Sequence, residues 1–362
     1  MRITSIFGAR PQFIKAGPIS RELRKKNEEL IIHTGQHYDI NMSKNFFEEL
    51  DIPQPDVNLG VGSGTHGIQT SKMMSGIEKV LMENDTDLIL LYGDTNSTIA
   101  GSLVGVKLHI PIAHVESGLR SFNREMPEEI NRVITDHISS FLYTPTEIAE
   151  RNLLNEGIDK KRIIRTGDVM FDAFLYAEKK LDIQKVLSKY DLVKDNYVLS
   201  TVHRPENTDT RNGLLSLFKG LNGSPKPVII PLHPRTKNYI KKFGLEKEIS
   251  NMGNIKIIDP AGYLDFIALE IGSWKIATDS GGIQKEAYLA GKPCITLRKQ
   301  TEWVETVKAG WNVIVSSRTK DIIDALENFD PPKNRPNLYG EGKAAIEICD
   351  HISNLEPNKI LL

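Results

Sequence analysis

The chain has 362 residues, of which 40% are hydrophobic and 26% charged, and these proportions exclude a disordered or a membrane-embedded protein. Its 46 lysine and arginine residues nearly balance its 47 aspartate and glutamate residues, so no global charge favours nucleic acid or an acidic membrane surface as a partner. The length exceeds what one hydrophobic core usually supports, and two domains are expected.

Localisation and metal binding follow from a few further features. The apolar residues 1–7 lead directly into Gly-Ala-Arg-Pro, unlike a signal peptide, and no apolar run approaches the ~20 residues of a membrane span. Cys294 and Cys349 form no disulfide framework or metal motif, and Gly35 between His33 and His37 argues against a zinc helix. We therefore expect a cytoplasmic protein without a metal.

Short apolar runs alternate with segments of helical period, which is typical of βα units around a mainly parallel sheet. The strands predicted in the first half are residues 3–7, 30–33, 88–92, 110–115, 141–143 and 162–166. Those in the second half are 197–202, 227–231, 255–258, 275–278, 293–297 and 313–315. Each half has enough strands for its own doubly wound sheet.

The domain boundary is expected near residues 168–195, which include the charged stretch 178–195. A last segment of helical period, 342–355, follows a proline-rich passage and can pack back onto the first domain. We predict a first domain of residues 1–172 plus 343–362 and a second of residues 173–342.

Two cations follow the first predicted strand. Arg10 is expected in the loop and Lys15 about one turn into the helix that Pro11 starts, so both can face one anion. The alternative is a solvated pair on the first helix.

Three carboxylates of the first half are candidates, and two of them directly follow strands. Asp94 comes after strand 88–92, where it either caps the next helix or belongs to a site. Glu116 comes directly after strand 110–115, where a carboxylate is costly unless it is paired or used. Glu128 lies at a helix start, where acids usually answer the helix dipole, and its spacing to Arg132 allows an i, i+4 pair.

The second half offers an anion site. His203 follows strand 197–202 as a hydrogen-bond donor, a general acid or a structural histidine. Gly281 and Gly282 open a helix whose N–H groups suit a phosphate, and Glu286 has the reach to accept from a ribose hydroxyl. Neither a dinucleotide fingerprint nor a phosphate-loop motif is present, so NAD and ATP are not supported and no cofactor is expected.

Eight segments in order resemble the non-hydrolysing UDP-N-acetylglucosamine 2-epimerases over nearly the whole chain. They are GARPQFIK (8–15), YGDTNS (92–97), HVESGLRS (114–121), MPEEINR (126–132), VHRPEN (202–207), PLHPR (231–235), YLDF (263–266) and DSGGIQKEA (279–287). The resemblance implies a glycosyltransferase-B type fold of two Rossmann-like domains, a C-terminal helix that crosses back, and a homodimer.

The resemblance also implies roles for individual residues. Those that match residues around the UDP portion are Arg10, Lys15, His203, Phe266, Ser280, Gly281, Gly282 and Glu286. Those that match residues around the sugar are Asp94, Glu116, Glu128 and Arg132, with His203 also implicated in catalysis. The implied reaction removes the C2 proton and UDP and adds both back from the other face, without a redox cofactor.

Departures from the family pattern bear on the substrate. TEWVE at 301–305 replaces the common TERPE, and Ala261 replaces a common Gln. TEWVE together with GARPQFIK resembles the subgroup that acts on UDP-2,3-diacetamido-2,3-dideoxyglucuronic acid, which is the favoured substrate, with UDP-GlcNAc as the alternative.

Residues 33–39 depart from the Gln-His-Arg-Glu-Met pattern associated with an allosteric UDP-GlcNAc site, so that regulation is not expected. Two other classes of function stay open at this point. One is a glycosyltransferase of the same fold, and the other is a non-catalytic nucleotide-sugar sensor.

Overall fold

The computed structural model describes residues 1–35 and 47–356. Contacts divide it into two compact units, Met1–Tyr176 with Tyr339–Leu362 and Ala177–Leu338. Each unit contains one parallel sheet flanked by helices, which confirms the predicted α/β class with two Rossmann-like domains. None of the described helices is long and apolar enough to cross a membrane.

Among residues 1–35 and 47–356, the sheet of the first unit has seven strands in the order β3-β2-β1-β4-β5-β6-β7. The strands are β1 Arg2–Phe7, β2 Glu28–His33, β3 Val57–Asn58, β4 Leu88–Tyr92, β5 Ile112–Val115, β6 Phe141–Thr144 and β7 Ile163–Arg165. The helices of this unit before the crossover are α1 Arg10–Leu23, α2 His66–Glu83, α3 Asn96–Lys107, α4 Pro127–Ile138, α5 Glu147–Asn155 and α6 Val169–Lys180.

The central strands of this sheet are mostly apolar because helices cover both faces. Ile6 aligns with Ile32 on one side and Leu91 on the other, and all three are fully buried. The strand order reverses between β1 and β4, and ligands of such sheets bind at the carboxyl ends of the strands beside this point.

The sheet of the second unit has six strands in the order β10-β9-β8-β11-β12-β13. The strands are β8 Val198–Thr201, β9 Val228–Pro231, β10 Ile255–Ile258, β11 Lys275–Thr278, β12 Cys294–Leu297 and β13 Asn312–Val315. The helices are α7 Ile183–Lys189, α8 Pro205–Thr208, α9 Arg211–Asn222, α10 Pro234–Lys242, α11 Glu246–Ser250, α12 Tyr263–Gly272, α13 Gly281–Leu289, α14 Val304–Lys308 and α15 Thr319–Asn328. Here the order reverses between β8 and β11.

The last described helix, α16 Ala344–Ser353, belongs to the first unit, as predicted for a C-terminal helix that crosses back. Asp172 of α6 accepts hydrogen bonds from the backbone N–H groups of Ala344 (3.2 Å) and Ala345 (3.0 Å) at its start. Near its end Lys26 pairs with Asp350 at 2.9 Å. The helix is therefore fastened to the first unit at both ends.

Candidate functional site

A buried glutamine joins the turns that follow β1 and β4. Gln12 Oε1 accepts from the N–H groups of Gly8 (2.9 Å) and Ala9 (3.1 Å), while its Nε2 donates to the Tyr92 carbonyl at 2.9 Å. The side chain is fully buried. It thus holds the start of α1 beside the Gly93–Asp94 turn, at the reversal of strand order.

Lys15 and Glu116 meet at this edge of the sheet. Lys15 Nζ forms an ion pair with Glu116 Oε2, and the two side chains are only 6% and 8% exposed. Glu116 has a φ of 66°, the left-handed region that a non-glycine residue occupies at a cost of about 1–2 kcal/mol. The backbone turns Glu116 back over the strand ends, where Lys15 provides its counter-charge.

A second carboxylate, Asp94, is held by Arg132 of α4. Arg132 Nε and Nη2 donate to Asp94 Oδ2 at 3.0 and 2.7 Å, and its Nη1 donates to Glu129 at 2.7 Å. Burial lowers the pKa of Arg132, but the two carboxylates outweigh it and leave that pKa above the ordinary value. Arg132 therefore stays charged although it is 8% exposed.

This arrangement decides between alternatives that the sequence left open. The N-cap of α3 is Thr95, and the Asp94 carboxylate receives Arg132 instead of capping that helix. Arg132 pairs with Asp94 and Glu129, not with Glu128 at i−4, because only the inward face of α4 reaches the strand ends.

Gly93 lies between the two pairs. Its φ is 62°, and a Cβ at this position would come within 3.0 Å of Lys15 Nζ and 3.3 Å of Glu116 Oε2. Glycine is required here both by the backbone conformation and by the approach of the Lys15–Glu116 pair. The Asp94 and Glu116 groups therefore belong to one cluster.

Two other predicted residues of the first unit lie at helix starts. Glu128 is exposed in the first turn of α4. Arg10 is the first residue of α1 and not a loop residue, since Pro11 occupies the first turn behind it. Of the stretch 33–39, residues 36–39 lie outside the described residues.

His203 follows β8 and is organised by a buried carboxylate. Asp279 accepts from the backbone N–H of His203 (3.0 and 3.1 Å) and of Arg204 (2.9 Å), and from Asn207 Nδ2 at 3.0 Å. Its Oδ1 lies 3.3 Å from His203 Nδ1. The His203 side chain is 35% exposed and the Asp279 side chain is fully buried.

The glycines after β11 begin α13 as predicted. Ser280 is the N-cap without a side-chain capping bond, and Gly281 and Gly282 are the first two helical residues. A Cβ on Gly281 would overlap Glu302 Oε1, and Arg298 Nη1 holds that carboxylate at 2.9 Å. A negative group thus already lies over this helix start, where the N–H groups and the dipole favour an anion.

The remaining two predicted residues of the second unit are mostly buried. Glu286 is 6% exposed on α13. Phe266 of α12, also 6% exposed, packs in an apolar cluster with Leu199 and Ala287. The assignment of ligand-contact roles to the predicted site residues stays a prediction.

Sequence reasoning missed the residues that hold the predicted ones. Glu129 accepts from Ser121 N, Ser121 Oγ and Phe122 N, each at 2.9 Å, besides Arg132. Burial raises the pKa of Glu129, but these hydrogen bonds outweigh it and lower the value. The i, i+3 spacing of Glu129 and Arg132 was the available signal.

The chain is similar to known proteins along nearly its whole length. The family model of UDP-N-acetylglucosamine 2-epimerase matches residues 21–353. A UDP-N-acetylglucosamine 2-epimerase homolog of Methanococcus maripaludis is 52% identical, over 98% of this chain and 100% of the relative. The UDP-2,3-diacetamido-2,3-dideoxy-D-glucuronate 2-epimerase of Pseudomonas aeruginosa is 45% identical over the same shares.

A solved structure gives the same result. The crystal structure of Methanocaldococcus jannaschii UDP-GlcNAc 2-epimerase in complex with UDP-GlcNAc and UDP superposes with a TM-score of 0.89 at 45% identity, covering 98% of this chain and 99% of that one. The predicted resemblance is confirmed, and the chain belongs to the UDP-N-acetylglucosamine 2-epimerase family of isomerases.

Proposed function

We propose that the chain is a non-hydrolysing 2-epimerase of UDP-2,3-diacetamido-2,3-dideoxyglucuronic acid, which forms the manno epimer for a surface polysaccharide or another glycan. The observation that carries the proposal is the pair of carboxylates Asp94 and Glu116 after neighbouring strands, each with its own cation. Inversion at C2 requires one group that removes a proton and one that returns it to the opposite face.

The proposed reaction is an elimination followed by an addition. A base takes the proton from C2, and the electron pair of the C2–H bond forms the C1=C2 double bond. The C1–O bond breaks, and its electron pair leaves on the oxygen of UDP. Asp94 and Glu116 are proposed as the proton-transferring pair, with Glu128 and His203 in the same catalytic set. In the addition, UDP returns to C1 and a proton reaches C2 from the other face, so no electrons are gained or lost.

The diphosphate needs positive groups that stabilise its negative charge as it leaves. Arg10 and Lys15 are proposed to supply cations, with Arg132 beside the sugar. Ser280, Gly281 and Gly282 are proposed to bind through the start of α13, where the Glu302 carboxylate marks an anion-favouring position. Glu286 and Phe266 are proposed to contact the uridine portion.

The substrate assignment depends on the departures in the sequence. Trp303 stands where the common TERPE pattern has an arginine, so position 303 provides no guanidinium for a ligand. The Trp303 side chain is 5% exposed, and Lys285 Nζ lies 4.4 Å from its ring centroid. The relative from Pseudomonas aeruginosa supports the diacetamido-uronate. The Methanocaldococcus jannaschii enzyme, solved with UDP-GlcNAc, supports the alternative substrate UDP-GlcNAc.

A substrate panel in D2O tests the proposal. The diacetamido-uronate and UDP-GlcNAc are incubated separately without an acceptor, and deuterium at C2 is followed by NMR. Label in the uronate supports the proposal, whereas label only in UDP-GlcNAc overturns the substrate assignment. Free sugar with UDP indicates a hydrolysing enzyme, turnover only with an acceptor indicates a transferase, and binding without label indicates a sensor.

We also propose that the enzyme is a homodimer. Phe122 is 78% exposed beside Ile130, which is 39% exposed, and both line a groove with Val133 and Ile134 on the outer face of α4. Such an apolar patch suits an interface. Light scattering of the protein and of Phe122→Asp tests this, since a monomeric wild-type chain contradicts it.

A further inference from the structure

His114 is a buried histidine whose two ring nitrogens both meet oxygen atoms. It lies on β5 and is fully buried. Its Nδ1 is 2.7 Å from Asp136 Oδ1 on α4, and its Nε2 is 2.7 Å from the carbonyl oxygen of Gly93. Both distances are those of strong hydrogen bonds.

The partners decide how many protons the ring carries. A backbone carbonyl only accepts, so Nε2 must donate to Gly93. Asp136 Oδ2 accepts from the N–H of Gly118 (3.0 Å) and from Arg120 Nη1 (2.7 Å), which indicates an ionised carboxylate. Nδ1 therefore faces an acceptor as well, so each ring nitrogen is placed to donate a hydrogen bond.

The positive charge of a ring that donates from both nitrogens is balanced within the first unit. Arg120 binds Asp136 and also Glu156, with Nε to Oε1 and Nη2 to Oε2 both at 2.7 Å. His114, Asp136, Arg120 and Glu156 form a row of alternating charge, and the first three side chains are at most 1% exposed. Paired in this way, buried charges avoid the cost of isolated ones.

The row fastens both turns that carry the proposed proton-transferring groups. Gly93, held by the ring, directly precedes Asp94. Gly118, held by Asp136, comes two residues after Glu116, which adopts the left-handed conformation. We propose that His114 is a positioning residue, kept as an imidazolium, which together with Asp136 sets the separation of Asp94 and Glu116. Its effect on catalysis rests on the proposed epimerase function.

Nuclear magnetic resonance of the wild-type protein tests the protonation directly. The protein is labelled with ¹⁵N in histidine, and the N–H protons on each ring are counted. We expect one buried ring with two slowly exchanging N–H protons, assigned to His114 by contacts to its neighbours in β5. A single ring proton overturns the proposal. This measurement needs no substrate, so it stands even if the epimerase function fails.

Two substitutions separate the bonds of the ring. His114→Gln places an amide near the position of Nε2 and retains a donor for Gly93, whereas His114→Asn places one near Nδ1 and retains a donor for Asp136. We expect His114→Asn to lower kcat about 10- to 100-fold, since small misplacements of reacting groups have effects of this size, with KM nearly unchanged. His114→Gln is expected to retain more of the kcat.

The control is His137→Gln on the same helix as Asp136. His137 has a 44% exposed side chain whose Nδ1 donates to the Val133 carbonyl of its own helix and lies 3.9 Å from Glu156 Oε2, beyond hydrogen-bond distance, and we expect unchanged kinetics. Equal kcat in His114→Asn and wild type overturns the positioning role, as does a loss confined to KM. An inactive wild-type protein would overturn the proposed function instead.

Discussion

Alanine at position 93 would face two obstacles, the left-handed backbone conformation and the nearby Lys15–Glu116 pair. Its φ of 62° costs an alanine about 1–2 kcal/mol. In addition, the new Cβ would approach Lys15 Nζ to 3.0 Å and Glu116 Oε2 to 3.3 Å, which is tighter than ordinary van der Waals contact. Lys15 is buried and paired, so moving its ammonium by a few tenths of an ångström also moves it relative to Glu116.

A matched control exists in the same unit. Gly157 has a φ of 82°, and a Cβ there would meet nothing within 4 Å. Gly157→Ala therefore shares the backbone cost without the contact. We expect Gly157→Ala to lose about 1–2 kcal/mol of unfolding free energy, and Gly93→Ala to lose at least as much. Only Gly93→Ala is expected to lose kcat, by about 10- to 100-fold.

Urea titration of both variants measures the stability, and deuterium incorporation at C2 measures kcat. The reasoning is refuted if Gly157→Ala loses as much kcat as Gly93→Ala, because backbone strain alone would then explain the loss. It is also refuted if Gly93→Ala keeps wild-type kcat, because the Lys15–Glu116 geometry would then be unimportant.

Four further substitutions test charged groups of the first unit. Arg132→Lys is expected to lower the unfolding free energy by about 1–3 kcal/mol in urea titration, since one ammonium cannot replace three donors in a fixed fork. Glu129→Gln is expected to lower the unfolding free energy by about 2–4 kcal/mol in the same titration, because the Glu129 side chain is buried and accepts from four donors. Glu128 is exposed, so Glu128→Gln should change the unfolding free energy by less than about 0.5 kcal/mol. It should nevertheless lower kcat. Burial raises the pKa of Asp172 from 3.8 to about 6, so the folded protein binds this proton more tightly than the unfolded chain does. The unfolding free energy should therefore fall by up to about 3 kcal/mol as the pH rises from about 4 to about 6. Asp172→Asn should remove this part of the pH slope in urea titrations across that range; an unchanged slope would contradict the assignment.

The strands were predictable from sequence because both faces of a parallel sheet are covered and each central strand is a short apolar run. The run 88–92 is the strand Leu88–Tyr92 without change. The run 110–115 begins two residues late, at Ile112, because the Ile110 N–H bonds the Gly105 carbonyl at the end of α3. The strand Val57–Asn58 was missed, since two residues give no periodicity.

The partners of the site residues were harder to predict because they are distant in sequence. Spacing along a helix suggested Glu128 for Arg132, but the observed partner Asp94 lies 38 residues upstream on another element. A local rule such as i, i+4 pairing ranks neighbours on one helix and is silent on which face the sheet covers. Tertiary packing of α4 against the strand ends makes that choice.

Helix α4 shows why the charged residues that hold the site residues in place were not predicted from the sequence. Glu129, Arg132 and Asp136 recur at the i, i+3, i+7 spacing of a single helix face, which in a sequence usually indicates the solvated side. Here that face is buried, and each charge has an opposite charge or backbone donors within hydrogen-bond distance. A buried charged face is stable only when every member is paired, so loss of one partner leaves another uncompensated. The helix thus links the position of Asp94, through Arg132, to that of the Glu116 turn, through Asp136, and substitutions along this face should alter both carboxylates together.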